Sequence, residues 1–147
     1  MTRYYEDYEV GDGRSFGAYT VSESEIIDFA RRYDPQPIHT DPDAAGASFF
    51  GDLIASGWHT ASVCMRLLVD HMADDAWVGA RGVDELRWIT PVYPDDTLSV
   101  TVEVVDKDPT PSIPGVGTVH VALTGFNQRD EAVVSWIGLS LIEQRSN

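Results

Sequence analysis

The second half of the chain alternates between apolar and polar residues, and that alternation limits the fold more than any other feature. Leu98, Val100, Val102 and Val104 are interleaved with Thr97, Ser99, Thr101 and Glu103, the period-two pattern of a strand with one covered face. Thr118 to Phe126 alternates likewise, with Val119, Val121 and Leu123 on one side. Val133 to Ile142 is mostly apolar, as expected for a strand covered on both faces. Leu86 and Trp88, and the segment Phe16 to Thr20, supply two more strands. The stretch Asp108 to Gly117 (DPTPSIPGVG) separates two strand-like runs and reads as a long hairpin connection, not a domain linker.

The first half reads as helical. Ser22 and Glu25 form a candidate capping box before Ile26, Phe29, Ala30 and Tyr33, which share one helical face. Pro35 and Pro37 stop that helix, and Asp34, preceding a proline, is pushed towards extended geometry. A second helix follows Gly57, with Trp58, Ala61, Ser62, Met65, Leu68, Val69 and Met72 at a 3.6-residue period. A strand, then helices, then a series of antiparallel strands is an α+β pattern, in which a helix packs on one face of a curved sheet. With no internal repeat and 147 residues, positions 1–147 are expected to form a single domain.

Ten basic residues against 24 acidic ones give a net charge of -14. Such a surface repels nucleic acid and anionic membranes, so neither is an expected partner. Asp dominates the acids, and Lys107 is the single lysine. That balance suits a salty, halophilic cytoplasm, where salt screens self-repulsion; an ordinary acidic protein is the alternative. No apolar run is long enough to span a bilayer, and the polar start (Met1 to Val10) lacks a signal-peptide core, so a cytoplasmic location is expected. The one cysteine, Cys64, excludes an internal disulfide and any multi-cysteine metal site.

The stretch with chemistry in it is Phe29 to Ala45 (FARRYDPQPIHTDPDAA). Asp34 and His39 lie five residues apart, with Pro35 and Pro37 between them to stiffen an extended segment. A carboxylate and an imidazole held in fixed relation can share one water and move its proton. On spacing alone two bland readings stay open: Asp34 can cap a turn and His39 can be a structural histidine. His39 with Asp41 and Asp43 lacks a second histidine at ligand spacing, so no metal site is expected.

Asp34-Pro-Gln-Pro-Ile-His39 followed by Ala44 and Ala45 resembles the hydratase signature of the MaoC-like dehydratase family, which includes the R-specific enoyl-CoA hydratases. The fullest family form has Gly and Asn where this chain has Tyr33 and Gln36. The segment Phe50 to Leu67 (FGDLIASGWHTASVCMRL) is similar to the family's second motif, in which a glycine, here Gly57, opens a helix beneath a thioester. The family often has His where this chain has Ser56, and some members carry a hydroxyl at the position of Met65. Ser62, one turn nearer, could substitute for that hydroxyl, but it is on a face expected to be packed. The likeness runs from roughly Tyr5 to Leu141 and includes the turn Thr90 to Asp96 (TPVYPDD), where the family has a Pro-x-x-x-Gly-Asp type of turn.

The resemblance implies a hotdog fold and reversible syn addition of water to a 2-enoyl thioester of coenzyme A. Asp34 and His39 would hold and activate the water, and the N–H of Gly57 would polarise the thioester carbonyl. A helix N-terminus has free N–H groups and a positive dipole end suited to that task, and glycine permits close backbone approach. Sequence does not say which of the pair is the base. No cofactor is implied beyond coenzyme A as part of the substrate. The resemblance also implies a homodimer or dimer of dimers, with sheets joined edge to edge.

His59 is a weaker candidate for substrate contact, His71 suits a helix C-terminus, and His120 lies on a strand face. Arg66, Arg81 and Arg87 are of a type that suits phosphate, though surface charge explains them equally. Two other functions remain. A hotdog thioesterase would need a carboxylate aimed from the long helix, and an acyl-CoA-binding protein would need no Asp34/His39 pair.

Overall fold

Each alternating run is a strand in the computed structural model, which describes residues 1–110 and 112–146. The strands are β1 (Gly13–Thr20), β2 (Trp77–Trp88), β3 (Thr97–Pro109), β4 (Val116–Phe126) and β5 (Ala132–Glu143). They form one antiparallel sheet in the order β1-β3-β4-β5-β2. Leu123 on β4 stands opposite Val102 on β3 and Trp136 on β5. The predicted hairpin connection is shorter than Asp108 to Gly117, because Asp108 and Pro109 still pair with Thr118 and Gly117. Pro111, within that connection, lies outside the described residues.

Strand β2 is longer than Leu86 and Trp88 suggest. It is an edge strand, and its residues 78–85 are mostly exposed, so no buried face forces an alternation there. Its register against β5 shifts three times, as edge strands often do.

The helices are α1 (Glu23–Tyr33), α2 (Pro37–Thr40), α3 (Pro42–Gly46) and α4 (Gly57–His71). The long helix α4 packs on β1, β3 and β5. Its Val63, Cys64, Leu67 and Leu68 join Leu98, Val100, Leu123, Val133, Val134 and Trp136 of the sheet in the main core. A curved antiparallel sheet around a central helix is the hotdog arrangement. Helix and sheet are in tight contact at Cys64, where a Cβ on Gly125 would come within 2.6 Å of the sulfur. Burial pushes the Cys64 thiol up to about 12, so it is an inert core residue.

Two expectations need correction. The face of α4 read from the sequence is rotated from the one that packs. Thr60, Val63, Cys64, Leu67 and Leu68 are buried, whereas Trp58 (56%) and Val69 (40%) are exposed. Ser62, expected to be packed, is exposed as well, and its hydroxyl donates to the Trp58 carbonyl at 2.7 Å. The helix is apolar around much of its circumference, so periodicity alone does not choose the face. The capping box is half formed. Ser22 Oγ accepts from Glu25 N–H at 3.2 Å, but the Glu25 carboxylate turns away, accepting from Tyr19 O–H at 2.6 Å and meeting His59 Nε2 at 2.9 Å.

Candidate active site

Asp34 ends α1, where its N–H donates to the Ala30 carbonyl at 2.8 Å. Pro35 bars the helix from continuing. The extended segment expected up to His39 stops at Gln36. Pro37 occupies the first position of α2, for which its fixed φ and missing N–H suit it, and one helical turn then carries His39. Asp41 caps the next turn, its Oδ1 accepting from Asp43 N–H and Ala44 N–H, which explains the second Asp-Pro pair structurally.

His39 is 5% exposed. Its Nδ1 lies 2.8 Å from the carbonyl of Ile54. A carbonyl only accepts, so Nδ1 carries a proton, and in the neutral form of the ring the lone pair falls on Nε2. That Nε2 lies 3.5 Å from Asp34 Oδ2. The separation is long for a direct hydrogen bond, but both atoms can hold the same water. Gln36 Nε2 donates to Asp34 Oδ1 at 2.7 Å, and Ser56 Oγ donates to Asp34 Oδ2 at 2.7 Å. These two donors, Gln36 first and then Ser56, hold the carboxyl below the usual carboxylate range. Partial burial opposes them and the nearby His39 adds to them.

Gly57 opens α4 immediately after Ser56. The N–H groups of Gly57 and Trp58 have no partner within the helix, and neither donates a hydrogen bond among the described residues. The space on the Cα of Gly57 is filled by this chain itself: a Cβ there would lie 2.6 Å from the indole Cδ2 and Nε1 of Trp88. Trp88 Nε1 donates to the Gly57 carbonyl at 2.8 Å, and its ring meets Trp58 edge-on at 5.0 Å.

His39 and Gly57 line one cleft of about 320 Å³. Its other walls are mainly apolar, among them Ile38, Phe50, Ile54, Val92 and Val133. Three residues named from sequence are thereby brought together at one place: Asp34 bonded to Ser56, His39 beside Asp34, and Gly57 next in the chain. The arrangement offers an anionic and an imidazole acceptor for one water, next to free backbone donors and an apolar wall. It fits proton transfer near a carbonyl compound with an apolar tail.

The other candidates lie elsewhere. His59 is buried against Phe29, their rings 4.7 Å apart, and faces Glu25 and not the cleft. His71 stacks on Phe16 with its Nε2 3.1 Å from Arg14 Nη1. His120 pairs with Asp108 at 2.6 Å. Arg66 pairs with Asp70 on its own helix, and Arg87 donates to the neighbouring Leu86 carbonyl. Of the arginines, none lines the cleft. Three groups at the site had no signature in sequence: the Ser56 hydroxyl, Trp88 and the Ile54 carbonyl. Each meets its partner across 15 to 31 residues, and no local pattern reports such a pairing.

The MaoC like domain model matches residues 8–124. The uncharacterized protein YdeM of Bacillus subtilis (strain 168) is 33% identical over 130 residues, 87% of this chain and 90% of its own. The (R)-specific enoyl-CoA hydratase of Rhodospirillum rubrum is 32% identical over 111 residues, 74% of each chain. The crystal structure of a MaoC-like dehydratase from the same bacterium superposes with a TM-score of 0.86 at 36% identity, covering 98% of this chain and 99% of the other. Model, relatives and structure point to one family, and the chain belongs to the MaoC-like dehydratase family.

Proposed function

We propose that this protein catalyses the reversible syn hydration of a 2-enoyl-CoA thioester to the 3-hydroxyacyl-CoA, with coenzyme A entering as part of the substrate and no separate cofactor. The observation behind this reading is the 3.5 Å approach of Asp34 Oδ2 and His39 Nε2 beside the cleft that the N-terminus of α4 enters. Family membership with an enoyl-CoA hydratase relative supports it.

In the proposed reaction one water donates its hydrogens to Asp34 and to the Nε2 lone pair of His39. Its oxygen forms a bond to C3 as a proton passes to the pair. The electrons of the C2–C3 double bond move towards the thioester oxygen, where the Gly57 N–H stabilises the growing charge. The pair then returns a proton to C2 on the same face, and the thioester carbonyl re-forms. Water is added and nothing is oxidised or reduced. The apolar walls of the cleft shield the acyl group.

A homodimer, or a dimer of dimers, joined through the sheet edges belongs to the same reading. The edge strand β2 is unpaired on one side. Val78, Val83, Trp88 and Ile89 are exposed on or just after it, and exposed apolar groups on an open edge are commonly covered by a partner. Sedimentation equilibrium should give a dimer or tetramer mass; a monomer at micromolar concentration would remove this part of the proposal.

The enzymatic test follows enoyl absorbance and free thiol together after mixing the protein with a short 2-enoyl-CoA. Loss of absorbance without thiol release is expected, and the net charge of -14 leads us to expect faster turnover at high salt. Release of thiol would make the protein a thioesterase. Absence of either change across a panel of enoyl-CoA chain lengths, at low and high salt, would leave a binding role.

A further inference from the structure

We infer that Ser56 is a positioning residue, which orients the Asp34 carboxylate for water activation and ties it to the thioester-binding N-terminus of α4. The inference rests on the hydration reading and adds to it a group that the signature does not contain.

The first argument is where the hydroxyl points. Ser56 is the N-cap of α4, and a serine there ordinarily turns its Oγ to accept from an N–H of the first turn. It makes no such bond here. Its Oγ donates instead to Asp34 Oδ2, at 2.7 Å. One choice of rotamer therefore does two things. It fixes a carboxylate oxygen 22 residues away, and it leaves the first N–H groups of the helix uncapped for an acyl oxygen.

Burial supplies the second argument. An aspartate carboxylate turns freely about its last torsion unless donors fix it. Gln36 and Ser56 hold one oxygen each. Gln36 is exposed, so water competes for its bond, whereas Ser56 is 0% exposed. The buried bond is the one that stays made. It also falls on Oδ2, the oxygen that faces His39 Nε2 at 3.5 Å.

Attachment is the third. The Ser56 carbonyl accepts from His59 N–H and Thr60 N–H, both at 3.0 Å. The residue is therefore locked to α4, and Gly57 N–H follows it by one position. The distance from the water-holding carboxylate to the carbonyl donor is set through Ser56.

The test compares wild type with Ser56→Ala and with Ser56→Cys, which nearly keeps the size but donates weakly. In both, kcat for enoyl hydration should fall about 10- to 100-fold with KM little changed. Asp34 must be ionised to act, and losing a donor raises its pKa, so the acidic limb of the pH–rate profile should move to higher pH. Titration of the 13C-labelled Asp34 carboxyl should show the same rise without any turnover. An unmoved Asp34 titration, or a variant with lowered kcat and an unmoved acidic limb, would overturn the inference. So would a variant with raised KM and normal kcat. If wild type itself fails to hydrate any enoyl-CoA, the hydration reading fails, and the carboxyl titration still decides whether Ser56 governs Asp34.

Discussion

Asp34→Asn is expected to lower kcat for enoyl hydration by about 10³-fold, the scale of a lost general acid–base group. Asparagine keeps the shape. Its amide oxygen can still accept from Gln36, and Ser56 can rotate to accept from the amide nitrogen, so packing around α1 and α4 survives. What disappears is the negative charge facing His39 Nε2, and with it half of the pair proposed to take a proton from water. KM should change little, because the cleft proposed to receive the acyl group is lined by His39 and Gly57 and not by Asp34. Stability gives an independent reading. The folded protein holds the Asp34 pKa below its unfolded value, chiefly through Gln36 and then Ser56. This contribution is complete above the unfolded value of about 3.9 and is lost as pH falls through the lower folded value. The Tm difference between wild type and Asp34→Asn should therefore hold steady at neutral pH and narrow below about pH 4. An asparagine variant that kept more than a tenth of the wild-type kcat would take Asp34 out of the mechanism.

Gly57→Ala is expected to damage both stability and activity, for one steric reason. The new Cβ would overlap the Trp88 indole, 2.6 Å from its Cδ2 and Nε1 and nearer still to Cε2, so the ring must leave and its hydrogen bond to the Gly57 carbonyl must break. Overpacking of this kind costs about 1–3 kcal/mol. The lower end is expected, because Trp88 is 47% exposed and can swing into solvent. Disturbing the first turn of α4 should lower kcat/KM by about 10²-fold if the Gly57 N–H holds the thioester oxygen. The double variant with Trp88→Leu removes the clash and keeps the N–H. Thermal melts should then show recovery beyond the sum of the single effects, and activity should return in part. A double variant that regains stability but stays inactive would mean that the substrate, and not only Trp88, needs the bare Cα of Gly57.

The site and the fold were legible to different depths. Strands β3, β4 and β5 could be read because each buries one or both faces, and burial writes a period into the sequence. Edge strand β2 has no such constraint over residues 78–85, and only its last residues were recognisable. The buried face of α4 was misread, since Trp58 and Val69 fit the helical period as well as Val63 and Leu67 do. Only the sheet laid against one side makes the choice.

Asp34, His39 and Gly57 were found through their motifs, where prolines and a helix start impose local geometry. Those local rules, read together with the family resemblance, led to the expectation that a carboxylate and an imidazole come near each other and that a helix begins at Gly57. They left undecided what turns the carboxylate, which nitrogen of His39 is free, and what fills the space over Gly57. Ser56, the Ile54 carbonyl and Trp88 answer those three questions. Each does so through a hydrogen bond between distant segments, whose distance and direction exist only once α1, α2, α4 and β2 have packed together. The sequence by itself determined which chemical groups are present and which local turns carry them; the tertiary structure decided their orientation, because orientation depends on partners that no local periodicity encodes.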